Sequence, residues 1–317
     1  MAVAERRSWR TGTTQFDFMS RRGPFMITSA VLTAIVLVSL IVRGLNFGID
    51  FTGGVLVQAS YQNPANLSAV RAALARAGQT DAQVQSFGSS SSIMIRLPPQ
   101  PLATQDSEAF RNKLVAALRV PDPTGTVQSV ETIGPQIGQD LAEQGGLAVL
   151  FALILIFVYV MIRFRWKFAV GAIVATVHDV LLTVGFFSLL GLQFDLTVLA
   201  AVLAVLGYSL NDTVVVYDRI RDNFRLMRRG TPASIINASV NQTLSRTIIT
   251  SFVTLLSVLA LLFLGGPTLE GFSIALTVGI IIGTYSSIYV ASAMALVLKV
   301  APADMMPPKR KEFDDLP

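Results

Sequence analysis

Apolar residues in this chain fall into six long runs, with the polar residues gathered between them. Phe25–Val42, Gly146–Ile162, Phe168–Leu190, Thr197–Val216, Thr247–Leu264 and Phe272–Leu298 are almost free of charge. A helix of about 20 such residues crosses the roughly 30 Å hydrocarbon core of a bilayer. The pattern therefore predicts six transmembrane helices. The first run is read as an uncut anchor, because no small-residue cleavage site follows it.

The stretch between the first two runs follows a different pattern. Gly54–Tyr61 puts Val55, Val57, Ala59 and Tyr61 on one face, the alternation of a strand. Asn66–Gly78 carries Leu67, Val70, Leu74 and Ala77 at helical spacing, with Asn66 as its cap and Gly78 as its stop. Ala82–Phe87 and Ser92–Leu97 predict two strands, and Gly88 with the serines that follow it reads as a flexible turn. Ser107–Leu118 predicts a second helix and Thr126–Ile133 a last strand. The order β-α-β-β-α-β is the split βαβ, or ferredoxin-like, arrangement. The expected divisions are a tail over 1–24, a first span over 25–42, the α/β domain over 43–143, a five-span bundle over 144–298 and a second tail over 299–317.

Basic residues set the expected orientation. The short loops Gly191–Leu196 and Gly265–Gly271 hold no Lys or Arg. The opposite ends hold Arg6, Arg7, Arg10, Arg21 and Arg22, then Arg163, Arg165 and Lys167, then Arg219, Arg221, Arg225, Arg228 and Arg229, then Lys309, Arg310 and Lys311. Basic loops stay on the cytoplasmic side, which places both termini in the cytoplasm and the α/β domain outside it. That domain carries seven basic and eight acidic residues, a balance suited to a folded soluble unit.

Composition agrees with a membrane protein: 52% of residues are hydrophobic and 14% charged, against about a quarter charged in soluble domains. The net charge of +5 is explained by the basic loops, so no nucleic-acid partner is expected. With no cysteine, disulfides and thiolate metal sites are excluded. No cofactor is expected. The chain holds one histidine and none lies in the α/β domain, so a serine nucleophile in the serine run would lack a base.

Polar groups inside a membrane are costly and mark function. His178 and Asp179 fall midway along the third run. Asp212, preceded by Asn211, falls well past the middle of the fourth, counted from its outer end. Arg246 opens the fifth from the cytoplasmic side. Because the fourth run travels inward and the fifth outward, Asp212 and Arg246 should sit at similar depth, where protonation would make and break a pair. Bland readings stand beside this one. Arg246 suits a snorkelling topology residue, Asp212 a wet helix end, and His178–Asp179 an interhelical structural pair. Asp17, Asp195 and Glu270 read as solvated interfacial residues, and the Gly279–Gly283 spacing as a close-packing signal.

At these residues the chain resembles the SecF family of the bacterial SecD–SecF protein-export complex. The likeness is carried by GLNFGIDFTGG at Gly44–Gly54, GYSLNDTVVVYDRIRDN at Gly207–Asn223 and NQTLSRTIITS at Asn241–Ser251. GGPTLEGFS at Gly265–Ser273, SSIYVASA at Ser286–Ala293 and the His178–Asp179 pair add to it. The resemblance implies a place in the resistance-nodulation-division superfamily and in the bacterial inner membrane. It implies a SecD-like six-span partner, work beside the SecYEG channel on exported polypeptide chains, and use of the proton-motive force. It also implies proton-pathway roles for Asp212 and Arg246, with His178, Asp179 and Asn211 as supporting polar residues.

Three rival functions stand beside this reading. A drug or lipid transporter of the same superfamily usually carries twice the spans and external domains in one chain. An intramembrane aspartyl protease on Asp212 and Asp218 lacks a GxGD motif, and a metal site on His178 and Asp179 lacks further histidines. A passive assembly factor for the export channel would leave Asp212 and Arg246 as structural ions. The glycines at Gly44, Gly48, Gly53 and Gly54 suit either a hinge or a tight turn.

Overall fold

The computed structural model describes residues 15–100, 103, 105–227 and 230–301. The basic residues Arg6, Arg7, Arg10, Arg228, Arg229, Lys309, Arg310 and Lys311 lie outside them.

Six helices are long and apolar enough to cross a membrane: α1 (Arg22–Val42), α5 (Pro135–Arg163), α6 (Trp166–Leu190), α7 (Leu196–Leu226), α8 (Pro232–Leu264) and a last span over Glu270–Val297. The last is built from α9 (Glu270–Ser286), a π turn at Ser287–Ala291 and α10 (Ser292–Val297). Half of the most apolar window is buried in α6 and in the last span and 44% in α7, against 11–17% in α1, α5 and α8. The first group forms the centre of the bundle, and the second presents its apolar side chains outward.

Three of these helices outrun the apolar patterns that announced them. α5 begins at Pro135, immediately after a strand, and not near Gly146. Its 29 residues span about 44 Å at 1.5 Å per residue, longer than a hydrocarbon core. The expected domain limit at residue 143 thus falls within a continuous helix. α7 continues to Leu226, and α8 starts at Pro232, capped by Thr231, whose hydroxyl oxygen accepts from Ser234 N at 3.2 Å. Arg246 is therefore inside α8 and still stands directly before its apolar run, Thr247–Leu264.

Between α1 and α5 the chain builds a four-stranded antiparallel sheet, in the order β3-β4-β2-β5, from β2 (Gly54–Ser60), β3 (Gln83–Phe87), β4 (Ser89–Leu97) and β5 (Thr126–Ile133). Helices α3 (Leu67–Arg76) and α4 (Ser107–Arg119) follow β2 and β4. The element order is the one that the alternation predicts. Val55, Val57, Ala59 and Tyr61 share one face and are all buried, in a core with Leu74, Ile95, Leu114 and Leu118. Asn66 caps α3 by accepting from Ala69 N at 3.1 Å. The serine run corrects its reading as a flexible turn. Gly88 alone supplies the left-handed turn, at φ 75°, and Ser89 begins β4. Short side-chain hydroxyls bond there to one another, with Ser89 Oγ 3.0 Å from Ser92 Oγ.

The segment Gly44–Gly54 joins this unit to the bundle. Its β1 (Asn46–Phe47) pairs in parallel with β6 (Gln193–Phe194), the loop between α6 and α7. A short helix, α2 (Ile49–Thr52), follows. A Cβ added at Gly53 (φ 69°) would lie 2.7 Å from Pro135 Cα at the start of α5. The glycines thus meet the needs of a tight turn and of close backbone contact. Arg96 of β4 donates to Asn46 Oδ1 at 3.2 Å and to the Phe47 carbonyl at 3.1 Å, tying the sheet to the same segment. Burial holds the Arg96 guanidinium somewhat below its usual range, partly offset by the charges of Asp195 and Asp50.

Candidate functional site

A polar layer crosses the middle of the bundle where α6, α7, α8 and α9 meet. Its first part is the predicted pair. His178 Nδ1 lies 2.9 Å from Asp179 Oδ1, and Asp179 is 1% exposed. The other carboxylate oxygen, Oδ2, accepts a short hydrogen bond from the Ser209 hydroxyl of α7. Ser209 is packed from the far side by Gly283, where an added Cβ would come within 3.1 Å of its Cβ. Gly279 sits even more tightly against Val205, so the GxxxG spacing does mark a close helix contact.

One turn further along α7 is Asp212, 3% exposed, with its Oδ2 buried and without a hydrogen-bond partner. The Ser251 hydroxyl and the Arg246 guanidinium, both on α8, act on this carboxyl. Ser251 Oγ in turn accepts from Thr284 Oγ1 of α9 at 2.7 Å. Arg246 itself faces outward from the bundle and forms no ion pair with Asp212 among the described residues. The geometry thus brings Asp212 and Arg246 to one region, as the opposed directions of their helices require, without closing a contact. Asn211 is exposed beside them and bonds to neither.

Unpaired polar atoms concentrate here. Besides Asp212 Oδ2 they include His178 Nε2, the Tyr208 hydroxyl and Thr213 Oγ1. A buried polar group without a partner costs about 1–3 kcal/mol, which makes these residues the candidate functional site.

Three features of the site were not legible in advance. Ser209 and Ser251 are single hydroxyls whose roles depend on which helix faces them. The last span contains a π turn, and the carbonyl of its final residue, Ala291, accepts from the buried Tyr217 hydroxyl at 3.0 Å. Asp195, read as a solvated interfacial residue, is instead the cap of α7: its Oδ1 accepts from Val198 N at 2.9 Å. Asp17 and Glu270 are exposed as expected. Asp218 is taken up by Arg163 at 2.7 Å and Arg221 at 2.6 Å on a partly open surface, away from Asp212.

An α/β unit set between the first two of six helices long and apolar enough to cross a membrane, with ionisable side chains sealed in the bundle, defines a multi-pass membrane protein. The family described as "Protein export membrane protein SecD/SecF, C-terminal" matches residues 114–301, and the SecD/SecF GG motif matches residues 38–65. Protein translocase subunit SecF of Vibrio alginolyticus is 48% identical over 300 residues, 92% of each chain. That of Pseudomonas aeruginosa is 47% identical over 304 residues, covering 95% of this chain and 97% of its own. The crystal structure of SecDF, a translocon-associated membrane protein from Thermus thermophilus, superposes with a TM-score of 0.81 at 39% identity over 90% of this chain. This chain spans 38% of that one. The chain belongs to the SecF family of protein translocase subunits.

Proposed function

We propose that this chain is one half of a proton-driven export unit in the bacterial inner membrane. Its other half is a SecD-like partner, and the unit works beside the SecYEG channel on emerging polypeptide chains. Both termini face the cytoplasm, and residues 43–143, read as a ferredoxin-like domain with the first turns of α5, stand outside it. The length of the SecDF chain left uncovered by this one supports a separate partner, and so does the outward-facing Arg246 beside the exposed Ile249, Phe252 and Val253 of α8.

The observation that carries the mechanism is the sealed Asp212 carboxyl with one oxygen unpaired, which feels the charge of Arg246 without pairing with it. When ionised it attracts the guanidinium; when protonated it releases it. A proton crossing ~150 mV yields roughly 3.5 kcal/mol, at about 2.3 per 100 mV. Moving a two-state element from 1:99 to 99:1 takes about 5.5 kcal/mol, so one proton falls short of the full shift and two protons per cycle suffice to rock the external domain. Asp212→Asn keeps the shape of the side chain and removes the titrating group. In inside-out vesicles it should insert and assemble but lose the part of precursor export that an uncoupler abolishes. Normal gradient-dependent export by this variant would leave the passive assembly role in its place.

A further inference from the structure

Asp212 is one of two carboxylates in the polar layer. Asp179 is more deeply buried and is bonded on both oxygens, to His178 Nδ1 and to the Ser209 hydroxyl. Interhelical packing alone needs only the Asp179–Ser209 bond. It leaves His178 unexplained, because that side chain is 91% buried and its Nε2 has no partner. An imidazole oriented through one nitrogen by a carboxylate, with the other nitrogen open, is the arrangement in which histidine carries protons.

Position ties this group to Asp212. Ser209 and Asp212 are three residues apart on α7, so their side chains share one face. α6 and α7 run antiparallel and meet at Asp179–Ser209, which places His178 and Asp212 within about one turn of each other in depth, at 1.5 Å per residue. Both present an unpaired buried atom, Nε2 on one and Oδ2 on the other. Inside the six apolar runs of the sequence the charged groups besides His178 are Asp179 on α6 and Asp212 on α7; Arg246 of α8 immediately precedes the fifth run, and the charges of α1, α5 and the last span (Arg22, Asp140, Glu143, Arg163 and Glu270) lie outside the runs. Tyr208 of α7 also has a buried hydroxyl without a partner.

We propose that His178, oriented by Asp179 and Ser209, is a second proton-carrying residue that exchanges its proton with Asp212. In the forward step the Asp212 O–H bond breaks and an N–H bond forms at His178 Nε2, directly or across one water. Asp212 is left as carboxylate and His178 as imidazolium, whose charge the Asp179 carboxylate balances. Return of a proton to Asp212 completes the exchange with no other reactant. Asp179 and Ser209 are positioning residues. This inference rests on the proton reading of Asp212.

The test uses the full-length chain with its SecD-like partner in inside-out vesicles, comparing wild type, Asp212→Asn and His178→Asn. The amide nitrogen of asparagine reaches roughly the place of Nδ1, so His178→Asn keeps the bond to Asp179 and loses the proton carrier. It is expected to accumulate normally and keep uncoupler-insensitive export, while gradient-dependent export falls at least tenfold. Full gradient-dependent export by His178→Asn, with Asp212→Asn defective, would overturn the proposal and leave the Asp212 reading intact. A normal Asp212→Asn would instead overturn the reading beneath it. If His178→Asn does not accumulate, Asp179→Asn is measured in its place, with the same tenfold loss expected. Failure of both to accumulate would assign the cluster to packing and overturn the proposal.

Discussion

Asp50 caps the helix that carries Asp212. Its Oδ2 accepts a 2.9 Å hydrogen bond from the backbone N of Leu196, 146 residues further along the chain. Together with Asp195, which accepts from Val198 N, it satisfies two of the amide groups that every helix start leaves open. Asp50 lies between the sheet and α1, so a movement of α7 along its axis acts on the root of the α/β unit. Replacing Asp50 with Ala should cost about 1 kcal/mol, the usual worth of such a cap. The measurement is thermal unfolding in detergent, and Asp50→Asn should lose less because its amide oxygen still accepts.

Gly53→Ala should be more damaging than Asp50→Ala. The position needs φ 69°, and the new Cβ would lie 2.7 Å from Pro135 Cα, backbone that cannot rotate away. At φ 69° and ψ 169° the backbone is in a region essentially restricted to glycine, which costs a side chain on the order of 1–3 kcal/mol, and the displaced contact adds to it. Gly44→Ala, at φ 68° with open space around it, should show the strain without the clash. Equal losses at the two positions would refute the packing explanation for Gly53.

The isolated α/β unit, residues 54–134, should be a soluble monomer that unfolds cooperatively, since sixteen of its residues form their own buried core. Tyr61 is the one tyrosine within it. Burial, helped by the nearby charge of Asp122, pushes its phenol up to about 12, and its hydroxyl donates to the Leu118 carbonyl at 3.2 Å. The fold holds the neutral form. Its contribution is therefore complete below the unfolded value of about 10 and is lost as pH rises from there toward 12. Ultraviolet titration should show ionisation late and together with unfolding, and Tyr61→Phe should remove that part of the alkaline loss. Ionisation near 10 in the folded unit would contradict it.

Topology is checked with a reporter active only outside the cytoplasm. Fusions between Tyr61 and Pro121 should be active, and fusions after Arg165 inactive. Arg163 and Arg221 at that end close over the Phe164 ring, at 5.1 and 5.3 Å to its centroid, forming a basic cap with Asp218. Activity after Arg165 would reverse the orientation.

Much of this architecture was legible because it rests on one-dimensional periodicities. Alternation at Val55, Val57 and Ala59 announced β2, and unbroken apolar runs announced the spans. Helix ends were less legible. The stretch Pro232–Ser245 is polar enough to read as loop, yet it continues α8 because Ile235, Ile236 and Val240 bury one face in the core cluster that also holds Phe168 and Phe224. The site was visible as four ionisable residues, since a charge in an apolar run stands out against its neighbours. Ser209, Ser251 and the Asp50 cap were not visible. Serine is common in spans, and a carboxylate that caps a helix 146 residues away leaves no local trace.

The central claim is that Asp212 carries the proton. It is tested most directly by proton entry into vesicles holding the full complex, followed with a pH-sensitive dye under an imposed gradient while a precursor is engaged. The wild type should pass protons well above the rate of vesicles without the complex. Asp212→Asn should fall to that background while still assembling with its partner, and Asp218→Asn, whose carboxylate serves the basic cap, should remain near wild type. Proton entry by Asp212→Asn at the wild-type rate would contradict the account.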